Sequence, residues 1–399
     1  MGRLPIGARV RHFREKAQRT QAAVAGLCGI SDRYLSLIEN GKKTPSPEVL
    51  GRLASELGVS VAALLSDDPA PTPTAVPMAA PDVERALMGY GLPLSTPPAD
   101  PVDLGKRVAA AWRIWQSSRT RFTEAEALLP ALITDTEHAA RVLRRSTDPV
   151  ARRAVMRTAA DLYGLLRSYC RRAGRLDLSL MVADRGLRAA EDADDPLRIA
   201  GAQWNLGHAL LSRPEGASAA AEVALGAADE LARSIETAEA VAVRGALELV
   251  AVVADASARR PWPARERLEK RARPLAERSG ELHPMWTLFG PTNVDLHALS
   301  IEMLAGQASD ALHLADRIDV SGLPSRERRF TFGLEVARCH DLRRDDAAVL
   351  VHLLGLEELA PEDLARSPVA REMVAGLVQR VRPTFRHQTT CLAGRLGML

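Results

Sequence analysis

The chain is poor in the residues that most often announce chemistry. It has four cysteines, Cys28, Cys170, Cys339 and Cys391, and no two form a C-x-x-C pair. No Cys/His group has zinc-ligand spacing, so a disulfide framework and a zinc module are both excluded. The cysteines are expected as small core hydrophobes in a reducing compartment. H-E-x-x-H and G-x-x-x-x-G-K-[ST] are absent, which argues against a zinc peptidase and an ATP-driven body. His283, His297 and His313 are scattered, with no nucleophile at a fixed spacing. The sequence therefore predicts no enzyme, no cofactor and no metal site. Long apolar runs are missing too. The stretch 245–254 is ten residues long and contains Glu248, too short to span a bilayer. The start, MGRLPIGARVRHFREK, has no signal-peptide core. A cytoplasmic protein without membrane contact is predicted.

Strand signals are also scarce, whereas Ala, Leu, Arg and Glu recur in helical periodicity, which predicts an all-α fold. The 399 residues suffice for two or three domains. Only five lysines stand beside 48 arginines, and the richness in Ala, Arg, Gly and Pro suggests a GC-rich bacterial genome. The net charge of +3 is uneven. Residues 1–66 hold ten basic against five acidic side chains, and the remainder 43 against 45. A small basic head on a near-neutral body suits a polyanion-binding module, although five charges are also within chance.

The head can be read residue by residue. Ile6, Val10 and Phe13 share one face of a first helix, with Arg9, Arg11 and Arg14 on the others. Thr20 is an N-cap for a second helix from Gln21 to Cys28, and Gly29 ends it. Ile30 turns inward, and Ser31 caps a third helix over 32–40, closed by Gly41. Ser46-Pro47-Glu48 opens a fourth helix whose stripe is Leu50, Leu53, Ala54 and Leu57. Gly58 ends it, and residues 60–65 make a short fifth. With its Thr-Gln pair, Gly-Ile-Ser turn and Ile38-Glu39-Asn40-Gly41, this run of about 60 residues resembles the lambda repressor/Cro type of helix-turn-helix, the XRE family.

That resemblance implies a double-stranded DNA operator as partner. The helix after Ser31 would enter the major groove, with Asp32, Arg33, Ser36 and Leu37 toward base edges. Arg33 suits a guanine and Asp32 a cytosine amine. Asp32 equally suits the helix N-terminus electrostatically. Leu37 either meets a thymine methyl or makes no contact. Thr20 and Gln21, with the exposed amides of helix two, suit a phosphate. Lys42 and Lys43 suit the DNA backbone or form a solvated turn, and Arg9 and Arg11 are weaker candidates. Leu35 and Ile38 are assigned to the core.

Residues 67–101 are predicted as a Pro-rich linker with a short helical segment, because prolines between 69 and 81 forbid a regular helix. Residues 102–399 are predicted as an α-solenoid of tetratricopeptide-like helix pairs, drawn at 154–190, 196–232, 238–279, 294–318 and 326–359. The turns fall near Gly174, Gly216, Arg260, Gly306 and Arg344. A non-repetitive helical bundle is the alternative. The strings at 183–190, 286–297 and 360–362 resemble the tetratricopeptide-like bodies of actinobacterial XRE regulators.

Two groups in the body are candidate ligand contacts: Trp204, Asn205 and His208, and Trp286, Asn293 and His297. In the second, Phe289-Gly290-Pro291 breaks the helical pattern, Thr292 caps a helix from 293, and Asn293 and His297 share a face. In peptide-pheromone receptors, which have related bodies, such asparagines hold an extended peptide. The other reading is a hydrogen bond between repeats beside structural tryptophans. Together these features predict a homodimeric transcriptional regulator whose body senses a small molecule or short peptide. The alternative is a DNA-tethered scaffold that binds a protein partner.

Overall fold

The computed structural model describes residues 6–16, 19–57, 59, 61–65, 81–89, 97–144 and 147–398. Among them there are helices and turns and no β-strand, only one isolated antiparallel bridge between Leu282 and Phe289. The chain divides into two compact units, residues 1–75 and 76–399. The segment 67–80, predicted as linker, lies outside the described residues, as do Gly58 and Ser60.

The first unit holds five helices: α1 (Ile6–Lys16), α2 (Gln21–Leu27), α3 (Asp32–Glu39), α4 (Pro47–Glu56) and α5 (Val61–Leu65). Local chemistry sets their starts. Thr20, Ser31 and Ser46 accept hydrogen bonds from the backbone N–H of Ala23, Tyr34 and Val49 at 3.2, 3.2 and 3.3 Å. Gly29 and Gly41 take φ of 62° and 69°, the left-handed values a helix end needs. The N–H groups that follow them, of Ile30 and Lys42, return to the carbonyls of Ala25 and Leu37. Val10, Val24, Leu35, Ile38, Leu53 and Leu64 are fully buried at the centre. α1 lies directly on α3, because a Cβ on Gly7 would come within 1.9 Å of the Ile38 carbonyl oxygen.

The second unit begins earlier than the sequence suggested. Helix α6 (Pro81–Leu87) buries Val83 and Leu87 in the same core as the helices that follow, so it packs with the body. Next come α7 (Pro101–Ser117) and α8 (Arg121–Leu143). The predicted pairs then appear in order: α9 (Pro149–Arg172) with α10 (Leu176–Asp192), and α11 (Pro196–Leu211) with α12 (Ala217–Ser234). Helix α13 (Ala238–Ser257) pairs with α14 (Pro261–Arg267) and α15 (Arg273–Ser279), which a π-helical turn at Leu268–Ala272 joins. Helices α16 (Pro291–Leu304) and α17 (Ala308–Ala315), then α18 (Arg326–Leu342) and α19 (Asp346–Leu359), complete the pairs. The chain closes with α20 (Pro361–Arg366), α21 (Pro368–Arg380) and α22 (Pro383–Arg395).

Each pair packs on the next, as in a solenoid. Four of the turns share one device. Gly174, Arg259, Gly306 and Arg344 have φ of 76°, 58°, 79° and 59°. The next N–H bonds back to the carbonyl of Cys170, Asp255, Glu302 or His340, which satisfies the helix end. The interfaces are close because small residues line them, such as Ala220, Ala224, Ala240 and Ala246.

The early and late helices of this unit also touch. Arg121 at the start of α8 is fully buried and bonds bidentately to Asp363 of α20, with Nε–Oδ2 at 3.0 Å. Its Nη1 reaches Glu327 of α18 at 3.0 Å. The Phe122 N–H donates to Glu362 at 2.7 Å, and Arg326 donates to the Ser117 carbonyl at 2.8 Å.

Candidate functional sites: a reading helix and a polar cavity

In the first unit the candidate surface is the exposed start of α3. Asp32 and Arg33 are exposed, while Ser36 and Leu37 are half-buried on the next turn. The Ser36 hydroxyl lies 3.4 Å from the Asn40 amide nitrogen, which also donates to the Ser36 carbonyl at 2.8 Å. Lys42 and Lys43 are exposed after the helix, and both their N–H groups return to the Leu37 carbonyl. Thr20 is exposed, and its hydroxyl oxygen is used in the cap of α2.

Two expected phosphate contacts are placed differently. Arg9 is 7% exposed, so it belongs to the interior rather than to a contact surface. Gln21 is half-buried and donates through Nε2 to Glu39 at 2.7 Å. Arg11 is exposed and bonds to Glu15 at 2.9 Å. Sequence reasoning missed the role of Glu39. It is buried at the end of α3 and accepts two bonds from Arg14 of α1, at 2.7 and 2.9 Å. A buried carboxylate is tolerated only when paired and hydrogen-bonded, and here it ties α1, α2 and α3 together. The orientation of α3 therefore depends on this side chain.

In the second unit a cavity of about 390 Å³ opens between α7, α9, α11, α13, α16 and α18. Five of the six expected residues, Trp204, His208, Trp286, Asn293 and His297, line it. Asn205 does not. Its Oδ1 accepts from Arg167 at 2.8 and 2.5 Å, and its amide donates to the Gly201 carbonyl at 3.0 Å. Asn293 is also engaged: Arg328 donates to its side chain, and its carbonyl lies 2.8 Å from His297 Nδ1. Both asparagines thus make hydrogen bonds from one helix pair to the next, α9 to α11 and α16 to α18, the kind of bond the other reading expected.

The loop before α16 forms one wall. Met285, Trp286 and Leu288 have φ of 49°, 63° and 53°, unfavourable for side-chain-bearing residues. Two contacts hold it there. The Phe289 ring sits where a Cβ on Gly245 would be, 2.0 Å from that position. The Trp286 ring stacks on Trp112 of α7 at 5.2 Å and 9°. The predicted cap at Thr292 is not formed; helix α16 starts at Pro291, and the Thr292 N–H donates to Glu281 at 2.8 Å.

The other wall is charged, and the sequence did not reveal it. Arg167, Arg171 and Arg172 of α9 and Arg328 of α18 face Glu327 and Glu335, also of α18. Arg172 Nε donates to Glu327 at 3.0 Å, and Arg171 stands 3.7 Å from the same carboxylate. Burial opposes the charge of Glu327, yet Arg172, Arg121 and Arg171 together hold it well below the usual carboxylate range. Burial pushes Glu335 the other way, up to about 7, although Ser300 donates to it at 2.9 and 2.8 Å. Burial, reinforced by Arg328, lowers His297 to about 3. His208, edge-on to Trp204 at 4.5 Å, is lowered well below its usual value by burial and then Arg167. Both imidazoles are therefore neutral at pH 7. Among the described residues, no group of three or more His, Cys, Asp or Glu could hold a metal ion. Nor is any described helix long and apolar enough to cross a membrane.

Three comparisons with known proteins bear on these sites. No curated protein matches the chain. Among solved structures, the apo competence regulator ComR of Streptococcus vestibularis is similar at 12% identity, covering 99% of this chain and 98% of its own, with a TM-score of 0.30. PlcR of Bacillus thuringiensis, solved with the peptide PapR7 and DNA, is similar at 11% identity over 89% and 98%, with a TM-score of 0.28. Apo ComR of S. thermophilus gives 13% over 94% and 98%, at 0.31. Scores this low leave the function to be argued from the residues. The match to a family model is local: residues 5–65 match the helix-turn-helix domain.

Proposed function

We propose that the chain is a sequence-specific DNA-binding transcriptional regulator whose body binds a small molecule or short peptide and thereby alters the grip on DNA. The observation that carries the DNA-binding half is the helix-turn-helix unit itself, with Asp32 and Arg33 exposed at the N-terminal end of α3. In such motifs the first residues of the second helix meet base edges in the major groove. Arg33 reads a guanine, and Asp32, Ser36 and Leu37 face neighbouring bases. Lys42 and Lys43, with Thr20 and Arg11, lie against phosphates and fix the register. The sensing half rests on the cavity, whose volume suits a small ligand and whose walls combine tryptophans with a few polar groups.

A homodimer fits this function, because two heads would read half-sites about 34–36 Å apart and one alone gives modest specificity. Light scattering on the free chain and on its operator is the check, and a monomer in both would refute it. The reading itself is tested by selecting an operator from random DNA and titrating it in gel shifts. Arg33→Ala should weaken binding by about 1–3 kcal/mol and relax the preference at one base pair. Equal binding by parent and variant would mean that α3 is not the reading helix.

A further inference from the structure

The cavity carries an imbalance of charge that the chain itself does not correct. Five arginines surround it or its closing contacts: Arg121, Arg167, Arg171, Arg172 and Arg328. Three carboxylates answer them. Asp363 neutralises Arg121, bonding it through both oxygens. Glu327 is shared by Arg121, Arg172 and Arg171, and its shortest contacts go to the first two. That leaves Arg167, Arg171 and Arg328 without a carboxylate of their own: Glu335 faces Arg328, and Arg167 and Arg171 have only the shared charge of Glu327. Glu335 itself sits at about 7, because burial favours its neutral form, so it supplies only part of a charge at neutral pH.

The hydrogen bonds of these three arginines show the same deficit. Arg167 is 4% exposed, and its partner is the neutral amide of Asn205. Arg328 bonds to the neutral Asn293, and its buried Nε has no partner. The Nε of Arg171 is likewise buried without one. Burial pushes Arg167 and Arg171 down to about 10 and 9, which still leaves both charged at neutral pH. A buried guanidinium N–H left without an acceptor is costly, and a ligand oxygen in the cavity would complete it. Next to these groups are broad aromatic faces. Trp112 and Trp286 stack, and Trp204 has the Arg167 guanidinium 5.2 Å from its ring centre and the neutral His208 ring at 4.5 Å.

We propose that the cavity takes an anionic ligand with a flat aromatic body, its carboxylate held by Arg167, Arg171 and Arg328 and its ring laid among the tryptophans. This deepens the sensing role proposed above and rests on it. Guanidinium and carboxylate match in a planar, two-bond geometry, which lysine or histidine would not give. The same chemistry can come from a free aromatic acid or from the C-terminal aromatic residue of a short peptide.

Titration calorimetry on the full chain separates these sources and tests the class. The probes are indole-3-acetate, its neutral amide indole-3-acetamide, the cation tryptamine, the dipeptide Gly-Trp with a free or an amidated C-terminus, and inorganic sulfate. The acids should bind at least about tenfold more tightly than their amides, the effect of one lost charge-assisted hydrogen bond. Tryptamine should not compete. Tight binding by indole-3-acetate alone points to a free acid, and tighter binding by Gly-Trp points to a peptide terminus.

The variant Arg171→Met adds a second readout. It removes a half-buried charge whose Nε has no protein partner, so it should leave the melting temperature unchanged or raised while abolishing the preference for acid over amide. A lowered melting temperature with the preference intact would make Arg171 a structural group and overturn its role. Equal affinity for acid and amide, preference for tryptamine, or no binding of either acid at millimolar concentration would overturn the ligand class. Sulfate binding as tightly as the aromatic acids would overturn its aromatic part. An acid that binds without changing operator affinity would instead refute the sensing role and leave the ligand class standing. A neutral compound that binds the cavity and shifts operator affinity would do the reverse.

Discussion

Replacing Glu39 with glutamine should cripple DNA binding without touching the DNA-facing surface. The side chain is 1% exposed and carries the charge that balances Arg14, itself 11% exposed. The glutamine keeps the shape but removes the charge, and it turns one acceptor into a donor facing a guanidinium. Breaking a buried ion pair from one side costs about 3–5 kcal/mol. Arg14 retains a bond to the Arg19 carbonyl at 3.0 Å and a contact to Glu15 at 3.6 Å, so a loss of about 2–4 kcal/mol is expected. A unit of this size is stable by only about 3–9 kcal/mol. Much of the head's stability would therefore go, and DNA would bind only the folded remainder. The assay must look at the right unit. All five tryptophans, from Trp112 to Trp286, lie in the body, so their fluorescence should not change. Amide hydrogen exchange over residues 6–65 should report the loss. The cycle Arg14→Met, Glu39→Met and the double variant completes the argument, because removing both charges should cost less than the two single losses added. A cost under about 1 kcal/mol for Glu39→Gln, or additive singles, would refute the pairing as the anchor of α3.

Two further outcomes follow from the geometry. Glu335 is raised to about 7 by burial, against the attraction of Ser300, Arg328 and Arg338. Its neutral form is therefore the stabilising one: that contribution is full below the unfolded value of about 4.3 and is lost as pH rises through about 7. Half-burial limits it to about 1–2 kcal/mol. His297 and His208 have the opposite sign, since their lowered values stabilise the fold above about 6.5 and that contribution fades as pH falls. Comparing Glu335→Gln with the parent by urea denaturation from pH 5 to 8 cancels the histidines, and a constant difference would refute the assignment. In the head, Gly7→Ala places a methyl 1.9 Å from the Ile38 carbonyl and must push α1 off α3. A cost of about 1–3 kcal/mol in thermal unfolding is expected, and a neutral substitution would show that the crossing is looser than described.

The parts of the fold that were legible in the sequence are those fixed by local chemistry. Thr20, Ser31 and Ser46 are caps because a hydroxyl answers an amide three residues on, a relation readable at sight. Gly174 and Gly306 marked their turns for a similar reason. Arg259 and Arg344 adopt the same backbone conformation, and nothing in an arginine announces it; those turns were found from the spacing of the pairs. The helix Pro81–Leu87 was absorbed into a proline-rich linker because its two buried anchors, Val83 and Leu87, find their partners on α8, far along the chain. Burial of that kind depends on residues the local pattern does not contain.

The cavity shows the same division within a single site. Its aromatic wall could be found because Phe289-Gly290-Pro291 interrupts a helical pattern, and a tryptophan beside such a break is conspicuous. Its arginine wall could not. With 48 arginines in 399 residues, Arg167, Arg171 and Arg172 near the end of an amphipathic helix look like any solvated face. What makes them a site is Glu327, 155 residues beyond Arg172, which Arg121, Arg171 and Arg172 have to share. A charge deficit is a property of a set of side chains drawn from α9 and α18, and no single helix displays it. For the same reason it points to function more strongly than the tryptophans do. Stacked rings satisfy one another and need no ligand, whereas a buried guanidinium N–H without a protein acceptor offers a donor that the proposed anion would use.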